Sequence, residues 1–182
     1  MERDCADGQG PEEIMKSLPS ILSAMDTLAS AIGDPHQGLP EDVFLFVSRI
    51  APLINVDLLI QDETHGTLLT WRDDEFFGPG WHVPGGIIRY KEMITDRIHA
   101  CARNELGAEI SFDPTPTLVS ETIRNQNERG HFISLLYRCR LVTPPDEALR
   151  ARSLLPSPGQ WQWHSRCPAD LLKVQSQYAR FL

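Results

Sequence analysis

The sequence predicts an α/β fold: an α/β/α sandwich around a mixed β-sheet, preceded by an extra N-terminal helix. Three observations carry this expectation. Short apolar runs of strand character are interleaved with helical patterns instead of being gathered in blocks. One well-marked helix, residues 91–106, stands between sheet segments. The length, 182 residues, allows one well-cored domain with an appendage and not two average domains.

Residues 1–10 read as a disordered tail. From Pro11 to Ile32 the apolar residues Ile14, Leu18, Ile21, Met25, Leu28 and Ile32 recur at spacings of four and three, which marks a helix with one apolar stripe. Gly33 supplies its stop, and Pro19 predicts a break or kink unless the helix begins there. The stripe needs a covering surface, either its own domain or a second copy in a homodimer. GDPHQGLP, residues 33–40, is a linker by its glycine and proline content, and it separates residues 1–38 from a domain over 39–182.

In that domain EDVFLFVSRI reads as a short helix, LINVDLLIQ as a buried strand and GTLLTWR as its hairpin partner across the turn ETHG. A loop over 73–80 leads to WHVPGG and the helix of 91–106, closed by Gly107. TLVSETIR and HFISLLYRCRLV predict two more strands around the polar loop NQNERG. A short helix in PPDEALRARS, a strand in QWQWHS and a terminal helix from Ala169 to Phe181 complete the chain.

The bulk chemistry excludes several classes. Net charge is −8 and no dense basic patch occurs, which argues against nucleic acid as a partner. No apolar run approaches the ~20 residues of a membrane span, and the acidic start lacks the pattern of a secretory signal, so a cytoplasmic protein off the membrane is expected. Cys5, Cys101, Cys139 and Cys167 are scattered, which suggests reduced thiols and neither a disulfide framework nor a zinc site. A small anionic ligand remains allowed, to be met by placed arginines and a divalent cation.

The stretch PGGIIRYKEMITDRIHACARNELGAE, residues 84–109, carries the chemistry. It resembles the Nudix box, a loop-helix-loop that sets glutamates on one helix face to converge on hard cations. Gly86, Glu92, Glu105 and Gly107 match that box, whereas Ala100 and Cys101 replace its Arg-Glu pair, Asn104 one glutamate and Ala108 the closing aliphatic residue. One surviving acid at the metal, Glu105, can share a single ion but cannot assemble a cluster.

The same losses make the chain similar to the GDP-mannose mannosyl hydrolase branch of that family. LPEDVFLFVSRIAPLINVDLLI, GTLLTWR, PGWHVPGG, RGHFISLLYRCRL and the LLP before a Trp-containing strand extend the resemblance over about residues 39–182. It implies a Nudix-type hydrolase of a nucleoside diphosphate sugar, in which water attacks the anomeric carbon and the nucleoside diphosphate leaves. It implies magnesium, with manganese as a substitute, held by the Gly86 carbonyl, Glu105 and a downstream glutamine. Gln160 is the candidate for that glutamine, one step beyond the family spacing, and a plain strand residue would look the same.

Arg72 falls where the branch neutralises the leaving diphosphate. Asp57, mid-strand in an apolar run, is either catalytic or a structural acid with a buried partner, because an unpaired carboxylate there is costly. Arg89 within the box and Trp81 just before it are the further candidates for substrate contact, and His82 and His131 for the cleft wall. Glu92 serves either near the box loop or in a salt bridge, and Cys101 either faces the metal or is a small buried apolar residue. Trp161 and Trp163 would cover a ligand or face a core.

Two departures stand out: Trp161 occupies the position of the branch's general-base histidine, and Ile87 that of an arginine after the double glycine. His164 is a poor replacement, since three strand residues amount to roughly 10 Å and the opposite face. Cleavage between phosphates, or nucleotide binding without catalysis, are the alternatives these departures leave open.

Overall fold

The computed structural model describes residues 11–182, and side chains from residue 20 onward; the predicted tail lies outside the described residues. Helix α1 spans Pro11–Ile32 and runs unbroken through position 19, contrary to the expected break. A 3-10 turn over Pro35–Gln37 leads to α2, Glu41–Ile50. Strands β1 (Leu53–Asp62) and β2 (Gly66–Arg72) form the expected hairpin, in which the Asp62 carboxylate caps the turn by accepting the amides of Thr64 and His65. Two short strands follow, β3 (Gly80–His82) and β4 (Gly85–Ile87), then α3 (Ile94–Leu106). Gly107 ends α3 in the left-handed region at φ 61°, with its amide returned to the last turn. β5 (Ile110–Phe112), β6 (Leu118–Ile123), β7 (His131–Leu141) and β8 (Trp161–His164) complete the sheet.

The sheet is mixed, as predicted. β1 and β7 lie parallel at its centre, in register from Leu53 opposite Phe132 to Ile60 opposite Cys139, while every other pairing is antiparallel. The outer edge of β1 is shared. β4 pairs with its first half, at Asn55 to Asp57, and β2 with its far end, at Gln61 and Asp62. Between β2 and β4 the ladder on this edge of β1 is interrupted at Leu58–Ile60, just beyond Asp57.

Period-two alternation sorts the side chains of β1 between two layers. Val56, Leu58 and Ile60 pack with Leu68 and with Ile98, Cys101, Ala102 and Leu106 of α3. Leu59 faces the other way and packs with Leu69, Trp81, Val83, Leu136 and Tyr178. Burying a leucine of this kind completely contributes about 2 kcal/mol.

The second layer departs from the sequence expectation. In place of a terminal α-helix from Ala169, a 3-10 segment spans Lys173–Phe181, with a non-helical residue at Gln175. The cause is tertiary: the Gln175 side-chain oxygen accepts the Val83 amide at 2.7 Å, which holds the chain against β3 instead of letting it wind on. The helix expected in PPDEALRARS is likewise only a turn, Glu147–Leu149. Helix α1 leaves the stripe residues Ile21 and Met25 at 45% and 59% exposure, and Leu22 beside them at 53%, so its own domain does not cover this part of the stripe.

Candidate active site

Asp57 and Glu105 approach Gly85 from opposite faces of the sheet. Gly85 opens β4, and its amide donates to Glu105 Oε1 at 2.8 Å. A Cβ at this position would stand 2.5 Å from Asp57 Oδ1, so the close approach of backbone to carboxylate requires glycine. Glu105 hangs from the last turn of α3 and is fixed on its other oxygen by the Thr70 hydroxyl, at 3.0 Å. Burial pushes its carboxyl up to about 7, with these two donors pulling the other way. Its side chain nevertheless keeps 24% exposure, so water reaches it.

Thr70 also lies 3.0 Å from His82 Nε2, while His82 Nδ1 lies 2.9 Å from the Val83 carbonyl. Burial, then the charge of Arg72, lowers His82 to about 4, so its ring is neutral near pH 7. Its proton then sits on Nδ1, donated to Val83, and Nε2 accepts. The single Thr70 hydrogen cannot serve both His82 and an ionised Glu105. With Glu105 protonated the chain closes: Glu105 donates to Thr70, and Thr70 donates to His82. Ionising Glu105 leaves His82 Nε2 without its donor.

Asp57 has the buried partner the sequence required, and it is a phenol, not a cation. Tyr178 Oη donates to Oδ2 at 2.6 Å, and Asn55, itself held by the Ser134 hydroxyl at 2.8 Å, supplies a second contact. Burial outweighs both donors and raises the acid to about 7. A cleft of about 270 Å³ opens beside it, lined by Asp57, Arg72, His82, Gly85, Gly86 and Ile87 among others. Arg72, at the end of β2, donates from Nε to Asp74, whose other oxygen accepts the amides of Phe76 and Phe77.

The structure thus brings Asp57, Arg72 and Gly86 to one cleft, with Glu105 adjoining it through Gly85 and His82. It does not bring the other candidates there. Trp81 is buried in the core at 4% exposure, edge-on to Trp71 and to His164. Arg89 reaches back to the His36 carbonyl and lines a separate cavity beside α2. Gln160 turns its side-chain oxygen to the Ser157 amide at 2.9 Å and is absent from the cleft wall. Glu92 makes a two-pronged ion pair with Arg97, 2.8 Å on each arm, and takes the structural role.

Cys101 is buried with its thiol pushed up to about 12, and a Cβ on Gly86 would meet its sulfur at 2.8 Å. It packs beneath the loop as a neutral apolar group. Trp161, 1% exposed, and Trp163 join the core on the α3 side. His131 pairs with Glu121 at the sheet surface, and the buried Nε2 of His164 has no partner among the described residues. Sequence reasoning missed Tyr178, Thr70 and Asn55, which only tertiary pairing identifies.

The donor set limits any metal. Among the described residues no group of three or more His, Cys, Asp or Glu could hold an ion. A water-accessible carboxylate, Glu105, beside the Gly85 backbone suits one hard divalent ion that keeps water or ligand oxygens for most of its positions. Of the expected ligands, Glu105 and the Gly86 carbonyl are the groups that would hold it, and Gln160 is turned away.

The architecture is the Nudix fold. A MutT Nudix hydrolase from Burkholderia pseudomallei superposes with a TM-score of 0.53 at 18% identity, covering 72% of this chain and 98% of that one. A Nudix hydrolase from Nitrosomonas europaea gives 0.51 at 16% identity, over 63% and 73%. A UDP-X diphosphatase gives 0.53 at 17% identity, over 96% of this chain and 81% of that one. In sequence, a stretch of 79 residues is 34% identical to the low-salt glycan biosynthesis protein Agl8 of Haloferax volcanii, covering 43% of this chain. That stretch spans 50% of the relative's length. No family model matches the chain.

Proposed function

We propose that the protein is a single-metal hydrolase of a nucleoside diphosphate sugar, of the GDP-mannose type, releasing free sugar and nucleoside diphosphate. One observation carries the reading: the only box acid at the metal position, Glu105, adjoins a second buried acid, Asp57, which faces a cleft together with Arg72. A site so poor in carboxylates suits water attack on the sugar with departure of an intact diphosphate better than cluster-assisted water attack on phosphorus. The relative named for glycan biosynthesis favours a sugar-bearing ligand.

When bound, magnesium, or manganese in its place, would stabilise negative charge on the diphosphate. The chain's own residues do the rest. Arg72 donates to the departing phosphate oxygens. Asp57, raised to about 7 and held in place by Tyr178, is the group in the cleft with the right proton affinity to take a proton from water at neutral pH. Neutral His82, held near 4, is too weak a base for that task.

The test is product identity after incubation with GDP-mannose and magnesium. Free mannose with GDP supports the reading. GMP with mannose phosphate would assign cleavage between the phosphates instead, and binding without turnover would leave a nucleotide-binding domain.

A further inference from the structure

Three guanidinium groups converge on one phenyl ring, that of Phe77, which lines the cleft together with Arg72 and Arg129. The central carbons of Arg72, Arg124 and Arg129 lie 4.6, 4.9 and 5.3 Å from the centroid of Phe77, and that of Arg129 also lies 5.1 Å from Phe76. Arg72 is engaged by Asp74. Arg124 and Arg129 are different: among the described residues neither is in an ion pair, and the buried Nε of Arg129 has no hydrogen-bond partner.

Such a cluster is unfavourable in isolation. Burial and the neighbouring charge of Arg72 both push the Arg129 guanidinium below its ordinary value. The charges of Asp74, Glu41 and Glu75 offset part of this, but among the described residues no acid pairs directly with Arg124 or Arg129, which leaves both guanidinium groups available to an external anion.

The turn between β6 and β7 fixes Arg129 in this position. Its backbone sits in the left-handed region at φ 52°, with its amide donated to Ser48 Oγ at 3.0 Å and its carbonyl accepting from Gln126 at 3.0 Å. Glu128, beside it, pairs with Arg49 of α2. Arg129 and Arg72 line the same cleft as Ile87, which stands where the resemblance implies an arginine.

We propose that Arg129 and Arg124, acting with Arg72, form a clamp for the diphosphate group of the ligand, supplying from the β6–β7 turn the cation that the double-glycine loop lacks. The clamp rests on the reading of the ligand as a nucleoside diphosphate derivative. Planar guanidinium groups stacked on aromatic rings are oriented before the ligand arrives, which suits two-pronged contact with phosphate oxygens.

Calorimetric titration with inorganic pyrophosphate and with GDP, with magnesium present, tests the clamp. Both bind the wild type, and Arg129→Gln weakens both by about tenfold or more. Arg129→Lys, which keeps the charge but not the fork, falls between. Arg124 is exposed, so Arg124→Gln leaves the fold intact and decides the matter if Arg129→Gln unfolds; a loss of about threefold or more is expected. Pyrophosphate that fails to bind the wild type, or binds Arg124→Gln and Arg129→Lys as tightly as the wild type, overturns the clamp. Arginine-dependent pyrophosphate binding without nucleotide-sugar turnover would uphold the clamp and remove the hydrolase reading, and turnover with arginine-independent binding would do the reverse.

Discussion

Tyr178 donates a 2.6 Å hydrogen bond to Asp57, joining the C-terminal segment to the middle of β1 beneath the cleft. Both residues are buried, and this bond favours the charged form of the acid. Tyr178→Phe should therefore raise the Asp57 pKa further and lower stability by about 1 kcal/mol. Urea unfolding measures the stability loss. The rate against pH should rise through a higher midpoint than in the wild type, because the base works only when ionised.

The metal-free protein should lose stability as pH rises from about 4 to about 7. Asp57 and Glu105, both raised to about 7, keep protons in the native state that the unfolded chain has released. His82, lowered to about 4, and His164, held below its ordinary value by burial, act oppositely over part of that range and offset part of the decline. Asp74 and Glu92, held below their ordinary values, act only at more acidic pH. Asp57→Asn should flatten the decline between pH 5 and 8, read by urea unfolding at several pH values in chelator; an unchanged slope would remove the assignment.

Gly85→Ala should destabilise the protein by on the order of 2 kcal/mol and abolish turnover. Its methyl would meet the Val56 carbonyl oxygen and Asp57 Oδ1, neither of which can retreat from the sheet. Thermal unfolding and activity at a temperature where the variant is folded separate the two effects.

Glu105→Gln should leave a folded protein that has lost magnesium-dependent turnover by about a hundredfold or more, since a neutral amide replaces the one box carboxylate at the metal position. Turnover that survives undiminished would end the metal assignment.

Removing residues 1–33 should change domain stability by less than about 0.5 kcal/mol, because Ile21, Leu22 and Met25 of α1 are exposed. Sedimentation of the full and shortened chains tests the homodimer expectation. A dimer that becomes a monomer supports α1 as the contact, and an unchanged mass removes it.

Much of the fold was legible because its elements repeat a local signal. The alternation in LINVDLLIQ, the turn at ETHG, the polar loop between β6 and β7 and the left-handed Gly107 each announce themselves within a few residues. The three-residue strands β3, β4 and β5 did not, since three residues show no period, and the C-terminal segment follows Gln175 and its bond to Val83 instead of its own helical pattern. In the site, Asp57 stands out as an acid in an apolar run, while Glu105, Gly86 and Arg72 are reached through the resemblance. Trp81 and Arg89 are candidates by nearness to the box and Gln160 by the resemblance, and their side chains turn to the core, the linker and a local turn. Tyr178, 121 residues from Asp57, is reachable only through the folded chain.

Hydrolysis of GDP-mannose in oxygen-18 water tests the central claim most directly. Attack at the anomeric carbon predicts the label in the released mannose and none in GDP. Label in a phosphate group would contradict it.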